Sequence, residues 1–203
     1  MAFSLHRPLI AAALLGVAAG AAMAQQRERL PITVEARSSD FDYKNSVLVF
    51  NDVTIVQGPT RITAAKAQAS GLDFEDSRWE FSGSVRMTLT DGALASDTAR
   101  VRFAKGEIQS ATVTGAPANF EQRRQADLTR GHANRIDYDL GRGTVELAGD
   151  AWLSDGRNEI TGATLVYSTG SQRVISRETV VITIKPHEQA PAPAPAPAPK
   201  KPE

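Results

Sequence analysis

The chain of 203 residues contains no cysteine. That removes disulfides, thiol nucleophiles, iron–sulfur clusters and cysteine-ligated zinc together. Histidine is scarce as well: of three, His6 lies in a leader segment, which leaves His132 and His187. No His-x-His pair, no Gly-x-Ser-x-Gly and no phosphate-cradling glycine loop occurs, so no metal, cofactor or catalytic site is expected. No charge predominates, with 23 basic and 23 acidic residues. A nucleic-acid partner, which calls for a basic stripe, is therefore not expected.

Long apolar runs are missing, with one exception. Leu9 to Ala22 is apolar, follows the basic pair His6-Arg7 and ends at Ala22-Met23-Ala24. This reads as a signal peptide over residues 1–24, cut between Ala24 and Gln25. The run falls short of the roughly 20 residues that a spanning helix needs. An exported protein in the periplasm is expected, with one domain over residues 25–186. Residues 187–203 read as a tail, mostly Ala-Pro repeats ending in Lys-Lys-Pro-Glu. Proline at alternate positions forbids ladder hydrogen bonds and favours an extended, solvated chain.

Between these ends the sequence repeats about every 33 residues. Val49-x-Asn51-x-Val53-x-Ile55 runs to Ile62-x-Ala64-x-x-Ala67. Phe81-x-Gly83-x-Val85-x-Met87 runs to Leu94-x-Ser96-x-x-Ala99, and Leu147-x-Gly149-x-Ala151-x-Leu153 runs to Ile160-x-Gly162-x-x-Leu165. A degenerate copy, Val113-x-Gly115-x-Pro117, falls in the gap. Asn51, Gly83, Gly115 and Gly149 are thus 32, 32 and 34 residues apart. Such a period means one supersecondary unit stacked on copies of itself, each too small to bury its own apolar face.

Each unit alternates apolar and polar residues with a period of two, and turn chemistry separates the segments: Gln57-Gly58-Pro59, Asp91-Gly92, Lys105-Gly106, Asp155-Gly156. This is the rhythm of an antiparallel meander, and the fold is expected to be all-β and elongated. Helical spacing shows only around 64–69, where the other copies read as strand, so strand is expected there too. Counting by two puts Val49, Val53 and Ile55 on one face, and likewise Phe81, Gly83, Val85 and Met87. The recurrent glycine lets the sheet bend or another backbone approach. Large apolar pairs flank a carboxylate ahead of three units, as in Phe41-Asp42-Tyr43, Leu72-Asp73-Phe74 and Ile136-Asp137-Tyr138. These aromatics either fill a core or line an unfilled lumen, and the pattern leaves both open. Asp137 and Asp139 alternate with apolar residues and should face water rather than form an acid–base pair. Asp155 to Asn158 reads as a hairpin turn, and Arg123, Arg124 and Arg130 as a cluster in a solvated loop or at a groove rim.

Taken in order, several segments resemble the LptA family of lipopolysaccharide-transport bridge proteins, in the OstA-like superfamily. They are Pro31-Ile32-Thr33-Val34-Glu35-Ala36, the run from Val49 to Ala64, Gly115-Ala116-Pro117-Ala118-Asn119-Phe120, Gly131-His132-Ala133-x-x-Ile136-x-Tyr138-x-Leu140 and the run from Val145 to Gly162. The full unit from Phe81 to Thr112, and Asn51 in place of the usual glycine, depart from the better-known members. The resemblance implies a V-shaped antiparallel β-jellyroll of about 16 strands, open at both ends. It implies no enzyme activity and a role in outer-membrane assembly in Gram-negative cells. Lipid A would pass from an LptC-like inner-membrane protein to an LptD-like outer-membrane one. Carried over from the family, Ile32, Phe120, Tyr138 and Leu140 are lumen positions that contact lipid. Strand parity adds Tyr43, Val49, Phe74, Phe81, Val85, Met87, Leu147 and Leu153.

Physical chemistry fits that role. Moving an acyl chain into water costs roughly 0.8 kcal/mol per CH₂, so a lipid in transit needs continuous apolar cover. The outermost strands expected, Ile32 to Val34 and Val180, Ile182 and Ile184, carry no proline or lysine to blunt them. They are expected to pair with partners or with further copies by strand addition. The alternative is an exported β-repeat scaffold with a solid core and no lipid ligand; a polysaccharide-active enzyme lacks the carboxylate geometry.

Overall fold

Period-two alternation becomes strand throughout the computed structural model, which describes residues 30–185 apart from 43, 72, 73 and 126. Twelve strands follow in order: β1 (Thr33–Glu35), β2 (Ser38–Asp42), β3 (Val47–Gln57), β4 (Thr60–Ala69), β5 (Asp76–Leu89), β6 (Gly92–Ala104), β7 (Glu107–Arg124), β8 (Asp127–Asp139), β9 (Thr144–Ser154), β10 (Asn158–Ser168), β11 (Arg173–Ile175) and β12 (Val180–Ile184). The segment with weak helical spacing lies in β4. Turn side chains secure the hairpins. Asp155 accepts from the backbone N–H groups of Arg157 and Asn158 at 2.8 and 2.7 Å, and Asp42 does the same for Lys44 and Asn45.

All twelve strands form one antiparallel sheet, with β3 to β10 in sequential order. At its first edge β1 pairs with the second half of β3, and β2 with the first half. At the other edge β11 and β12 likewise share the two halves of β10. Each edge is thus a strand broken in the middle, and no pairing joins the two edges. The sheet is open.

A crease crosses the long strands where those edges break. Pairing shifts register at Ser82/Val85 on β5, at Thr114/Ala118 on β7 and between Gly162 and Thr164 on β10. The odd strands carry the extra residues, and there the repeat glycines sit. Gly83 has φ +80° and Gly149 φ +76°, left-handed conformations that glycine adopts without cost, followed by Ser84 and Asp150 at φ 51°. On the even strands the crease falls at the x-x of Ala64-x-x-Ala67 and its copies. The sheet folds along this line into two facing leaves. The first contains Val47–Asn51 and its neighbours, and the second contains Val53–Gln57 and its neighbours.

Among the described residues the strands number twelve rather than about 16, because the long strands pass through the crease unbroken. One face parity also differs. On β3, Phe50, Val53 and Ile55 are buried, whereas Val49 stands opposite exposed Gln68. Asn51 lacks the glycine's left-handed turn, and β3 keeps its register with β4 through the crease, with Asp52 (φ 48°) opposite Ala65; it inserts no residue where β5 and β9 each insert one. Inward parity upstream of the crease therefore shifts by one, from Val49 to Phe50.

Candidate functional site

Apolar side chains from both leaves meet in one continuous core. Of the expected lumen residues, Phe74, Phe81, Val85, Met87, Phe120, Leu147 and Leu153 are buried there. Ile32 and Tyr138 are half-buried and pack against it. Leu140 is half-buried in the turn after β8, its N–H donating to the carbonyl of Gln109 at 3.0 Å. Val49 turns outward, and Tyr43 lies outside the described residues, as do Ala24, Gln25 and residues 187–203.

The first leaf near the β1–β2 edge holds a chain of rings. Phe50 stacks on Trp79 at 5.6 Å, Trp79 on Phe74 at 5.2 Å, and Phe103 closes edge-on against Phe74 at 5.0 Å. In mid-sheet Phe120 on the second leaf reaches Tyr138 and Tyr167 on the first, both at 6.1 Å. Burial raises the Tyr138 phenol above its ordinary pKa, against the opposing effect of a hydrogen bond with Thr169. Trp79, Ile136, Leu147 and Leu165 have no solvent exposure. The expected trough is therefore not hollow along its length: its own side chains fill it. At the β11–β12 end the leaves part around a cavity of about 400 Å³, floored by Leu153, Ile160, Tyr167 and Val174.

The open side of the V is tied at two points. In the second leaf's rim, Gln57 Nε2 donates to the carbonyl of Gly106 in the first leaf's rim at 2.7 Å, and to that of Leu30 at 3.2 Å. Arg124, at the end of β7, donates to the carbonyls of Thr169 and Gly170 at 3.2 and 2.6 Å. Both contacts run three strands forward along the sheet, the offset expected of a twisted sheet folded over itself. The three arginines expected in one loop part company. Arg123 and Arg124 end β7 and Arg130 lies in β8, so the three belong to strands; Arg123 and Arg130 flank Glu121 at 3.9 and 3.6 Å.

Exposed large hydrophobics lie at the two sheet edges. Among the described residues they are Leu30 and Phe41 at one end, and Ile175, Val181, Ile182 and Ile184 at the other. Val34 and Val180 are half-buried against the core. Ile182 pairs with Ile160, which places it, with Ile184, on the inward face where nothing covers it.

Among the described residues the outer surface holds no group of metal-ligating side chains. Asp137, half-buried on the outer face, bridges to Arg135 at 2.7 Å and accepts from Thr112 at 2.6 Å. His132 lies within β8 and stacks on Trp152 at 5.0 Å. Sequence reasoning missed Phe50, Trp79, Phe103 and Tyr167; parity from Leu165 was the available signal for Tyr167. Nothing local marks Gln57 or Arg124.

Residues 66–173 match the family described as LptA/(LptD N-terminal domain) LPS transport protein. The chain belongs to this family. Members of the LptA/LptD N-terminal family are transport proteins rather than enzymes. Among solved structures, one similar chain is the crystal structure of LptH, the LptA homologous periplasmic component of the lipopolysaccharide transport device from Pseudomonas aeruginosa. It is 23% identical, covers 77% of this chain and 96% of its own, and has a TM-score of 0.42. No curated protein matches the chain.

Proposed function

We propose that this LptA-family protein is a periplasmic lipid carrier. It holds the acyl chains of lipopolysaccharide between its two leaves and forms part of a bridge from the inner to the outer membrane. The observation that carries this reading is the placement of apolar surface: one core runs from edge to edge, and the exposed large hydrophobics lie on or beside its terminal strands. A free strand edge with uncovered apolar side chains is a site for strand addition. In this reading an LptC-like protein continues one edge and an LptD-like protein, or another copy of the chain, continues the other. Lipid displaces the side chains that now fill the interior, and the leaves separate to admit it.

A filled interior also suits the scaffold alternative, in which no ligand ever enters. Photo-crosslinking separates the two. A crosslinker in place of Tyr138, which sits half-buried between the leaves, captures lipopolysaccharide if the interior is the carrier site. One in place of Val49, on the outer face, does not. Absence of capture at Tyr138, with the protein folded, supports the scaffold.

A further inference from the structure

Gln122 is a polar residue on an apolar face. It follows Phe120 by two positions on β7, is 8% exposed, and its Oε1 is buried without a hydrogen-bond partner. Only four polar residues are buried among those described: Ser77, Gln122, Thr129 and Ser154. Ser77 accepts from the Trp79 indole, and Ser154 from the N–H of Gly156. Thr129, the register partner of Gln122 on β8, has its hydroxyl 3.5 Å from that of Tyr167 on the facing leaf. Thr129 and Tyr167 line the cavity at the β11–β12 end, and Arg157 stands at the same cavity.

A buried acceptor with no protein hydrogen-bond partner is costly, and such groups are rare enough to need an account. A headgroup held at the mouth does not supply one, because Gln122 is buried on the face of β7 that carries Phe120 and is not among the residues lining the cavity. The missing donor has to arrive on the apolar part of a ligand. A hydroxyl suits best, since it donates to Gln122 and accepts from the Thr129–Tyr167 pair.

We propose that Gln122, Thr129 and Tyr167 form a subsite for a hydroxyl group carried on an acyl chain, at the end of the interior bounded by β11 and β12. This subsite rests on the lipid-carrier reading and adds a selectivity to it: hydroxylated chains over plain ones. An unsubstituted chain passing the same point leaves Gln122 Oε1 unpaired.

The test uses the purified protein with hexadecanoate and 3-hydroxyhexadecanoate, each competing against a fluorescent fatty acid. The hydroxylated chain is expected to bind about tenfold more tightly, equivalent to about 1.4 kcal/mol. Gln122→Leu and Thr129→Val are expected to bring the two ligands within about twofold of each other while retaining affinity for the plain chain. Thermal unfolding checks the variants, and Gln122→Leu should melt no lower than the parent because it removes the orphaned group. Equal binding of both acids by the parent overturns the subsite and leaves the carrier standing. A preference that survives in Gln122→Leu also overturns it. Failure of either acid to bind overturns the carrier reading and the subsite with it.

Discussion

Gln57 and Gly106 lie 49 residues apart in sequence and on opposite leaves, yet the side-chain amide of one donates to the carbonyl of the other at 2.7 Å. With Arg124 holding Thr169 and Gly170, this contact ties together the rims that a ligand entering from the side must part. These ties are small against the buried core between the leaves, so they set how readily the rims open rather than whether the sheet folds.

Removing the ties should loosen the rims selectively. Gln57→Ala is expected to cost about 1 kcal/mol, and exposed Arg124→Ala somewhat less. In the double variant, amide hydrogen exchange should quicken at residues 104–107 and 168–173 and stay unchanged at the crease. Uniform acceleration over the whole sheet would mean that the ties support the fold globally.

The second prediction concerns the edges. Val181→Pro on β12 removes a backbone donor and constrains φ within the strand, which disfavours both its pairing with β10 and addition of a further strand. Concentration-dependent end-to-end association, read by sedimentation, should disappear while the far-ultraviolet spectrum stays that of a sheet. Normal assembly by this variant would rule out the β12 edge as the docking strand.

At the crease, Gly83 is required twice over. Its φ is +80°, and an added Cβ would meet the Ala65 Cβ at 2.7 Å. Gly83→Ala is expected to cost about 2 kcal/mol, lowering Tm by about 5 °C. Gly170, with nothing within 4 Å of an added Cβ and no left-handed φ, should accept alanine with little change.

Acid should weaken one outer-face bridge. Burial pushes the Asp137 carboxyl up, but hydrogen bonds from Arg135 and Thr112 and the arginine charge outweigh it and hold the pKa below the ordinary 3.8. A folded value lower than the unfolded one gives stability that is present above the unfolded value and lost as pH falls through the folded one. Asp137→Asn should therefore lower Tm by about 2 °C at pH 7, with the gap closing as pH drops below about 4. A gap that persists in acid would assign the effect to packing.

Much of this architecture is legible in the residues because the signals are local. Period two gives strands, Asp155 and Asp42 give turns, and the repeat glycines mark the places where the sheet creases. Val49 shows the limit. Its position in an ungapped repeat matches that of Phe81, yet β3 inserts one residue fewer at the crease, and that single difference turns Val49 outward and Phe50 inward. Counting by two is dependable within a leaf and fails across a bulge. The same reasoning put Leu147, which is buried, on the inward face but gave no means of telling a filled interior from an empty one, since both present the same alternation.

By itself the sequence determined that this chain is a one-sided antiparallel sheet of stacked units with free edges, because backbone pleat and residue alternation are set over a few residues. The tertiary structure decided what faces what: Gln57 against Gly106, Arg124 against Gly170, Gln122 buried beside Thr129, and rings packed where a channel was expected. Those partners depend on the twist and the bulges accumulated over several strands, and no single segment contains that sum.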